Sequence, residues 1–184
     1  LLATARELRL GAELTGEDIA AIGSQDIGWP QWRALHAAIG AALADPGCDG
    51  VIVTHGTDTA EETALLLDLT LPATKPVVLV GAMRPASAVG SDGMRNFANA
   101  VRVAASPDAA GRGVLVVMGD QVFAAIDVRK AATNSIDAFR GYPRGALGLV
   151  TPSTLDWFGP PDRPGRAARF AFPQELPRVE ILYG

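Results

Sequence analysis

The sequence predicts an α/β domain of three layers, in which helices flank both faces of a mostly parallel sheet. Between residues 18 and 119, segments typical of buried strands alternate with segments typical of amphipathic helices. This alternation indicates parallel strands joined by crossover helices. The chain has 184 residues, of which 48% are hydrophobic, so it can build a core of the usual domain size.

The first predicted elements precede residue 45. Residues 1–15 predict a short helix of mixed charge, and the apolar run 19–22 predicts a strand that stops at Gly23. A helix is expected from Pro30, because proline is favoured in the first helical turn. Helical spacing gives this helix an apolar face, made of Trp32, Leu35, Ile39 and Leu43.

Three β-branched runs, at residues 50–54, 76–81 and 113–119, are typical of strands buried on both faces. A helix is predicted between the first two, at residues 59–70. Another follows Asp92, its expected N-cap. The apolar face of that helix comprises Met94, Phe97, Val101 and Ala104.

Beyond residue 120 the predicted elements shorten, and proline and glycine become more frequent. Strands are expected at residues 121–125, 145–150 and 179–183. No internal repeat is visible.

Composition excludes several classes of function. The formal net charge of −4 argues against nucleic acid as a partner, because phosphate binding needs a basic face. The lone Cys48 excludes an internal disulfide and cysteine-based zinc sites. Two histidines without a carboxylate at helical spacing argue against a metal site. The sequence contains no run of 18 apolar residues, so it predicts no membrane span. Nucleotide-binding and serine-hydrolase motifs are also absent.

Polar loops follow each predicted strand. They lie at residues 23–26, 55–59, 81–85 and 119–120. Ligands of parallel sheets bind outside the carboxyl ends of the strands, where these loops offer hydroxyls, an amide and carboxylates. The set suits a small zwitterionic molecule. Taken alone, Asp58 is also a candidate helix N-cap, with Glu61 completing a near capping box.

Residues 54–63, Thr-His-Gly-Thr-Asp-Thr-Ala-Glu-Glu-Thr, resemble the second signature of the bacterial-type L-asparaginase family. Four more segments resemble family motifs in the same order along the chain. They are residues 22–26, residues 80–85 with 91–93 and Asn96, residues 127–130, and residues 179–184. The resemblance therefore spans essentially the whole chain.

The resemblance implies hydrolysis of L-asparagine, and to some extent L-glutamine, to the acid and ammonia without a metal or organic cofactor. Thr57 is then one of two catalytic threonines, supported by Lys130 and Asp58. A threonine hydroxyl is a weak nucleophile that needs a proton acceptor. The implied substrate contacts are Gly23, Ser24, Gln25, Gly56, Thr57, Asp58 and Ala82.

Further expectations concern the surroundings of the site. His55 is expected to be structural, and Arg84 is expected to organise its loop through a charge-assisted bond to Asp92. The resemblance also implies a homo-oligomer, usually a tetramer. It leaves the localisation open between cytoplasm and periplasm.

The sequence also departs from the family. The Thr-Gly-Gly-Thr-Ile-Ala motif with the primary nucleophile, the lid and the second domain are not among these residues. Residues 1–176 are thus expected to be an incomplete N-terminal domain, and residues 177–184 the start of a connection to a C-terminal domain. The 184 residues alone are expected to be inactive. Two alternatives are an ammonia-supplying amidotransferase subunit and a non-catalytic amino-acid-binding module.

Overall fold

A computed structural model describes residues 10–72, 74–161 and 167–182. Within these ranges the helices are α1 (Trp29–Ala44), α2 (Ala60–Thr70) and α3 (Gly93–Ala104). The strands are β1 (Val51–Thr54), β2 (Val77–Val80), β3 (Val114–Met118), β4 (Gln121–Ala124), β5 (Val128–Lys130), β6 (Phe139–Gly141), β7 (Gly148–Val150) and β8 (Leu155–Trp157). Short 3₁₀ turns lie at Ser24–Asp26, Thr57–Thr59 and Pro107–Ala109.

The predicted α/β architecture is confirmed, with a mixed sheet of strand order β1-β2-β3-β4-β7-β8. Strands β1, β2 and β3 are parallel neighbours, joined by α2 and α3. Strands β4, β7 and β8 extend the sheet with antiparallel pairings. Strands β5 and β6 form a separate antiparallel pair, here called the lysine hairpin (residues 128–141).

The sheet has a hydrophobic core on each face, which confirms the three layers. Successive side chains of a strand point to opposite faces. Val77 and Leu79 of β2 therefore pack with α1 and α2, whereas Val78 and Val80 pack with α3. The lysine hairpin joins the first core through Val128 and Phe139, among other residues.

The predictions of α1, α2 and α3 are confirmed within two residues of their expected starts. Pro30 lies in the first turn of α1, and Ile39 and Leu43 of its predicted apolar face are buried. In α3, Phe97 and Val101 are at most 5% exposed. The three β-branched runs form β1, β2 and β3, as expected.

Predictions near the ends of the chain are wrong where the structure describes them. Residues 10–15 are not helical, and residues 1–9 lie outside the described residues. Residues 19–22 pair with no strand in the described ranges, and Ile22 is 47% exposed. Residues 179–182 are also irregular, with Leu182 92% exposed. Apolar runs form strands only where a neighbouring strand and a core bury them, and the part of the chain that the structure describes provides neither at these positions.

The segment after β8 packs back onto the helices. Phe172 stacks on Trp29 with ring centroids 4.7 Å apart, and the main-chain N–H groups of Arg169 and Phe170 donate to the Leu69 carbonyl. Across the ranges given above, the helices are too short or too polar to cross a membrane.

Candidate active site

Two 3₁₀ turns meet at the carboxyl end of β1. The Asp58 N–H donates to Ser24 Oγ at 3.2 Å, and the Thr59 hydroxyl donates to the Ser24 carbonyl at 2.8 Å. A side chain on Gly56 would place its Cβ 2.6 Å from Ser24 Oγ. Glycine is therefore required at position 56 because a Cβ would clash with Ser24. Its backbone conformation is not the reason, because a φ of −65° is allowed for any residue. The close approach fixes Ser24, which is 5% exposed, beside Thr57.

Lys130 reaches this loop from the end of β5. Its Nζ donates to Thr57 Oγ1 at 2.9 Å and forms an ion pair with Asp58 Oδ1 at 2.5 Å. The side chain of Lys130 is only 16% exposed, whereas that of Asp58 is 60% exposed. The arrangement gives a hydroxyl, an amine and an accessible carboxylate in direct contact.

The capping box expected from Asp58 and Glu61 does not form. The N-cap of α2 is Thr59, without a side-chain capping bond. Asp58 instead binds the Lys130 amine, and Glu61 Oε2 accepts the Lys130 main-chain N–H at 2.6 Å. Both carboxylates thus face a hairpin that lies about 70 residues further along the chain, because a lysine and a strand N–H offer charge-assisted bonds there.

His55 contacts the main chain of the loop that carries Thr57 and links this loop to α2. Its Nδ1 contacts the Gly56 carbonyl at 2.6 Å, and its Nε2 contacts Thr63 Oγ1 at 3.0 Å. Because a carbonyl only accepts, the proton is on Nδ1. Burial lowers the pKa of His55, although the Gly56 bond and the Glu62 charge oppose this. The neutral ring accepts from Thr63, whose oxygen accepts the Trp32 indole N–H at 2.9 Å. These contacts agree with the structural role expected for His55.

The loop after β2 is ordered by the start of α3. Asp92 accepts the main-chain N–H groups of Met83 and Arg84 at about 3.0 Å. Asn96 donates to the Gly81 carbonyl at 2.9 Å and accepts the Gly119 N–H at 3.1 Å. The ends of β2 and β3 are thereby tied together.

Two expectations for this loop need correction. Asp92 lies at the N-cap position but makes no side-chain capping bond, since its carboxylate serves the Met83 and Arg84 N–H groups. Arg84 meets Asp92 through its main chain. Its guanidinium donates instead to the carbonyls of Val89 and Gly90.

Replacing Asp92 by asparagine should destabilise the protein most at neutral pH. Burial raises the pKa of Asp92, but the bonds from Met83, Arg84 and Asn96 outweigh it and lower the pKa below its usual 3.8. The ionised group therefore stabilises the fold above that value, and this contribution disappears as the pH falls through the lowered pKa. We expect a loss of about 1–3 kcal/mol in the free energy of unfolding at pH 7.

Urea unfolding at a series of pH values measures this difference. The gap between the unsubstituted protein and Asp92→Asn should narrow in acid. Asp49→Asn, at an exposed position, is the control and should change little. A gap that stays constant down to acid pH would contradict the assignment.

The structure brings Ser24, Gly56, Thr57, Asp58 and Lys130 together, as the sequence predicts. Gln25 turns back over Gly23, where a Cβ would lie 2.2 Å from its Nε2, and donates to Asp26 at 3.0 Å. Ala82 follows β2 and is exposed. The contact between Glu61 and the Lys130 main chain is not predicted by the sequence, because the position of Glu61 in the helix pointed only to capping.

Within residues 10–72, 74–161 and 167–182, no group of three or more histidine, cysteine, aspartate or glutamate side chains is arranged to hold a metal ion. What the site does offer is a hydroxyl with a neighbouring amine, a pair suited to nucleophilic chemistry.

A sequence model of the family described as "Asparaginase, N-terminal" matches residues 1–163. The chain belongs to the asparaginase family. Its family resemblance, based on five motifs, is confirmed.

Similar asparaginase-family proteins come from fungi and bacteria. A protein named probable L-asparaginase 4 of Schizosaccharomyces pombe is 41% identical over 94% of this chain and 49% of its own length. One named probable periplasmic L-asparaginase of Haemophilus influenzae is 43% identical over 100% of this chain and 53% of its own. The chain spans about half the length of the curated relatives it matches.

A solved structure shares the fold. The crystal structure of a probable cytoplasmic L-asparaginase from Campylobacter jejuni superposes with a TM-score of 0.80 at 38% identity, covering 86% of this chain and 48% of that one. The names of these relatives place asparaginase-family members in both the periplasm and the cytoplasm.

Proposed function

We propose that the full-length protein hydrolyses L-asparagine to L-aspartate and ammonia, with L-glutamine as a second substrate. The observation that best supports this is the contact of Lys130 Nζ with both Thr57 Oγ1 and Asp58 Oδ1, at 2.9 and 2.5 Å. The names of the relatives point to the same activity.

In the proposed mechanism a threonine hydroxyl attacks the side-chain amide of the substrate. Thr57 needs a group that takes its proton, and the Lys130 amine, 2.9 Å from Thr57 Oγ1, is the side chain placed for this role. The proton then passes to the leaving ammonia, and the substrate is left as an ester on the threonine. Water then hydrolyses this ester, which releases L-aspartate and restores the threonine hydroxyl. The main chain at Gly56, Thr57 and Ala82, which follows β1 and β2, is proposed to supply N–H donors for the developing oxyanion.

The substrate's charged groups have partners in the same site. Asp58 is 60% exposed and keeps an oxygen accessible for the α-ammonium group. Ser24 Oγ already accepts the Asp58 N–H, so its own hydroxyl proton remains available for the α-carboxylate. In this proposal Gln25, Gly23 and Ala82 complete the rim, and the substrate displaces Gln25 from its contact with Asp26.

Gly56→Ala in the full-length protein should raise the KM for asparagine about tenfold or more, because the new Cβ would lie 2.6 Å from Ser24 Oγ and displace it. Steady-state kinetics measures the change. Gly40→Ala, where no atom lies within 4 Å of the added Cβ, is the matched control. An unchanged KM in Gly56→Ala would contradict the role given to Ser24.

Full activity in this proposal requires a second threonine from outside these residues. Strand β1 pairs only with β2 among the described strands. Its other edge faces a groove of about 460 Å³ lined by Ile19, Leu35, Ile39 and others. A parallel strand bound there would end beside Ser24 and Thr57. The groove therefore supports the proposal that a strand carrying the Thr-Gly-Gly-Thr motif, which the resemblance implies, binds beside β1.

Residues 1–176 are proposed as the N-terminal domain and residues 177–184 as the connection to a second domain. The exposed Val179, Ile181 and Leu182, at 72–92%, favour a further packing partner. We also propose a homo-oligomer, a tetramer by resemblance. Light scattering of the full-length protein tests the assembly.

Ammonia release from asparagine and glutamine by the full-length protein tests the function. Release from asparagine would support the proposal. Saturable binding of asparagine without release would overturn it in favour of the amino-acid-binding module. Release only in the presence of a partner enzyme would favour the amidotransferase subunit.

A further inference from the structure

We propose that Glu61 is a positioning residue that holds the lysine hairpin in register with the loop bearing Thr57 and Asp58. The inference rests on the proposed function, and it adds a residue to which that function gives no role. Glu61 Oε2 accepts the Lys130 main-chain N–H at 2.6 Å. The carboxylate thus binds the backbone of the residue whose amine lies in the site.

The geometry of the hairpin leaves this N–H without a partner strand. Lys130 is opposite Phe139 in the β5–β6 register. The next residue, Ala131, donates its N–H to the Ala138 carbonyl at 2.7 Å. Because hydrogen-bonded and non-bonded pairs alternate in an antiparallel ladder, the Lys130 N–H points away from β6. Glu61 satisfies it from α2.

The hydrogen bond from the Lys130 N–H to Glu61 is important because it joins two elements that no strand ladder connects. Glu61 lies in the first turn of α2, one turn after Asp58. The lysine hairpin belongs to a sheet separate from the one that contains β1. No strand ladder therefore fixes the distance between Lys130 and Thr57. Apolar packing and this charge-assisted bond set it instead.

Electrostatics around Glu61 favour the same placement. The Arg129 Nε lies 4.0 Å from Glu61 Oε1, on the residue before Lys130. The Glu61 side chain is 26% exposed, so water competes only partly for its oxygens. The carboxylate thus contacts two consecutive residues of β5 and limits sliding of the strand along α2.

Three variants of the full-length protein test the inference: Glu61→Ala, Glu61→Gln and Glu62→Ala. Alanine removes the acceptor, whereas the glutamine amide oxygen can still accept the Lys130 N–H. Glu62 is the neighbouring exposed carboxylate of the same turn and is the matched control. Two readouts are measured: steady-state kinetics of ammonia release, and amide hydrogen exchange of the segment containing Lys130.

For Glu61→Ala we expect kcat to fall about 10- to 100-fold, because small displacements of a catalytic group cost that much. KM should change less than about threefold, since Ser24 and Asp58 remain in place. Exchange at Lys130 should accelerate at least about tenfold, as its N–H loses a hydrogen bond. Glu61→Gln should restore both values to within about threefold, and Glu62→Ala should change neither.

Any of three outcomes would overturn the inference. One is a kcat of Glu61→Ala within about twofold of the unsubstituted protein. The second is an equal loss in Glu61→Ala and Glu61→Gln, and the third is a loss without faster exchange at Lys130. If the unsubstituted protein releases no ammonia, the proposed function fails, and the exchange data alone decide whether Glu61 holds Lys130.

Discussion

Thr57→Val in the full-length protein should lower the kcat for asparagine by at least about 10³-fold, because the variant removes a reacting hydroxyl and keeps its shape. The Lys130 amine would then lose its contact with Thr57 Oγ1 and keep only Asp58. Ammonia release under saturating substrate measures the effect.

Thr57→Ser is the companion variant, since it restores a hydroxyl at the same position. It should recover a large part of the rate. The thermal midpoint of both variants should remain close to that of the unsubstituted protein, because Thr57 lies in a half-exposed turn outside the core. If Thr57→Val retained a tenth of the activity, the assignment of Thr57 as a reacting hydroxyl would be contradicted.

The second large effect is expected for Lys130→Met. Methionine retains a long apolar stem but offers no amine, so nothing in contact with Thr57 accepts its proton. We expect kcat to fall about 10²- to 10⁴-fold. Asp58 should remain accessible to the substrate's ammonium group, so the KM should change far less.

Lys75→Met provides the control for removing a lysine amine. Lys75 Nζ donates to the Asp45 carbonyl at 2.5 Å, in the turn before β2. That variant should show ordinary activity. Equal activity losses in the two variants would indicate a general effect of charge rather than a specific role of Lys130.

The part of the fold that the sequence predicts is the part with strong local signals. Continuous β-branched runs predict β1, β2 and β3, and helical spacing predicts α1 and α3. Parallel topology then places the loops after β1 and β2, which carry Thr57 and Ala82, at one edge of the sheet. Ser24 was expected there because a strand was predicted at residues 19–22. That strand does not form, and hydrogen bonds between two 3₁₀ turns bring Ser24 to the Thr57 loop.

Long-range pairing decides the elements that the sequence does not predict. Strand β5, Val128-Arg129-Lys130, is three residues long and has no apolar alternation, and it forms because β6 and α2 bind it. The apolar run 19–22 has a stronger local signal, but it pairs with no strand among the described residues.

The contacts of the candidate site also depend on long-range pairing that the local sequence does not predict. Nothing local directs Lys130 to Thr57, which is 73 residues away, and the family motif supplied that link. The neighbouring residues alone predict that Asp58 and Glu61 cap the start of a helix. Their side chains instead bind Lys130, because a tertiary partner with an amine and an N–H outweighs a cap.

Side chains of β2 alternate between the two hydrophobic cores, so substitutions in the two cores should affect different parts of the protein. On one face, Leu79 packs in the same core as Leu67 of α2 and Phe139 of the lysine hairpin. On the other face, Val80 packs with Val101 of α3. A cavity made at Leu67 or Phe139 would loosen the elements that bring Lys130 to Thr57, whereas one at Val101 would mainly weaken the fold. The face of the sheet on which a core side chain of β2 packs therefore determines which helix a cavity at that position would loosen.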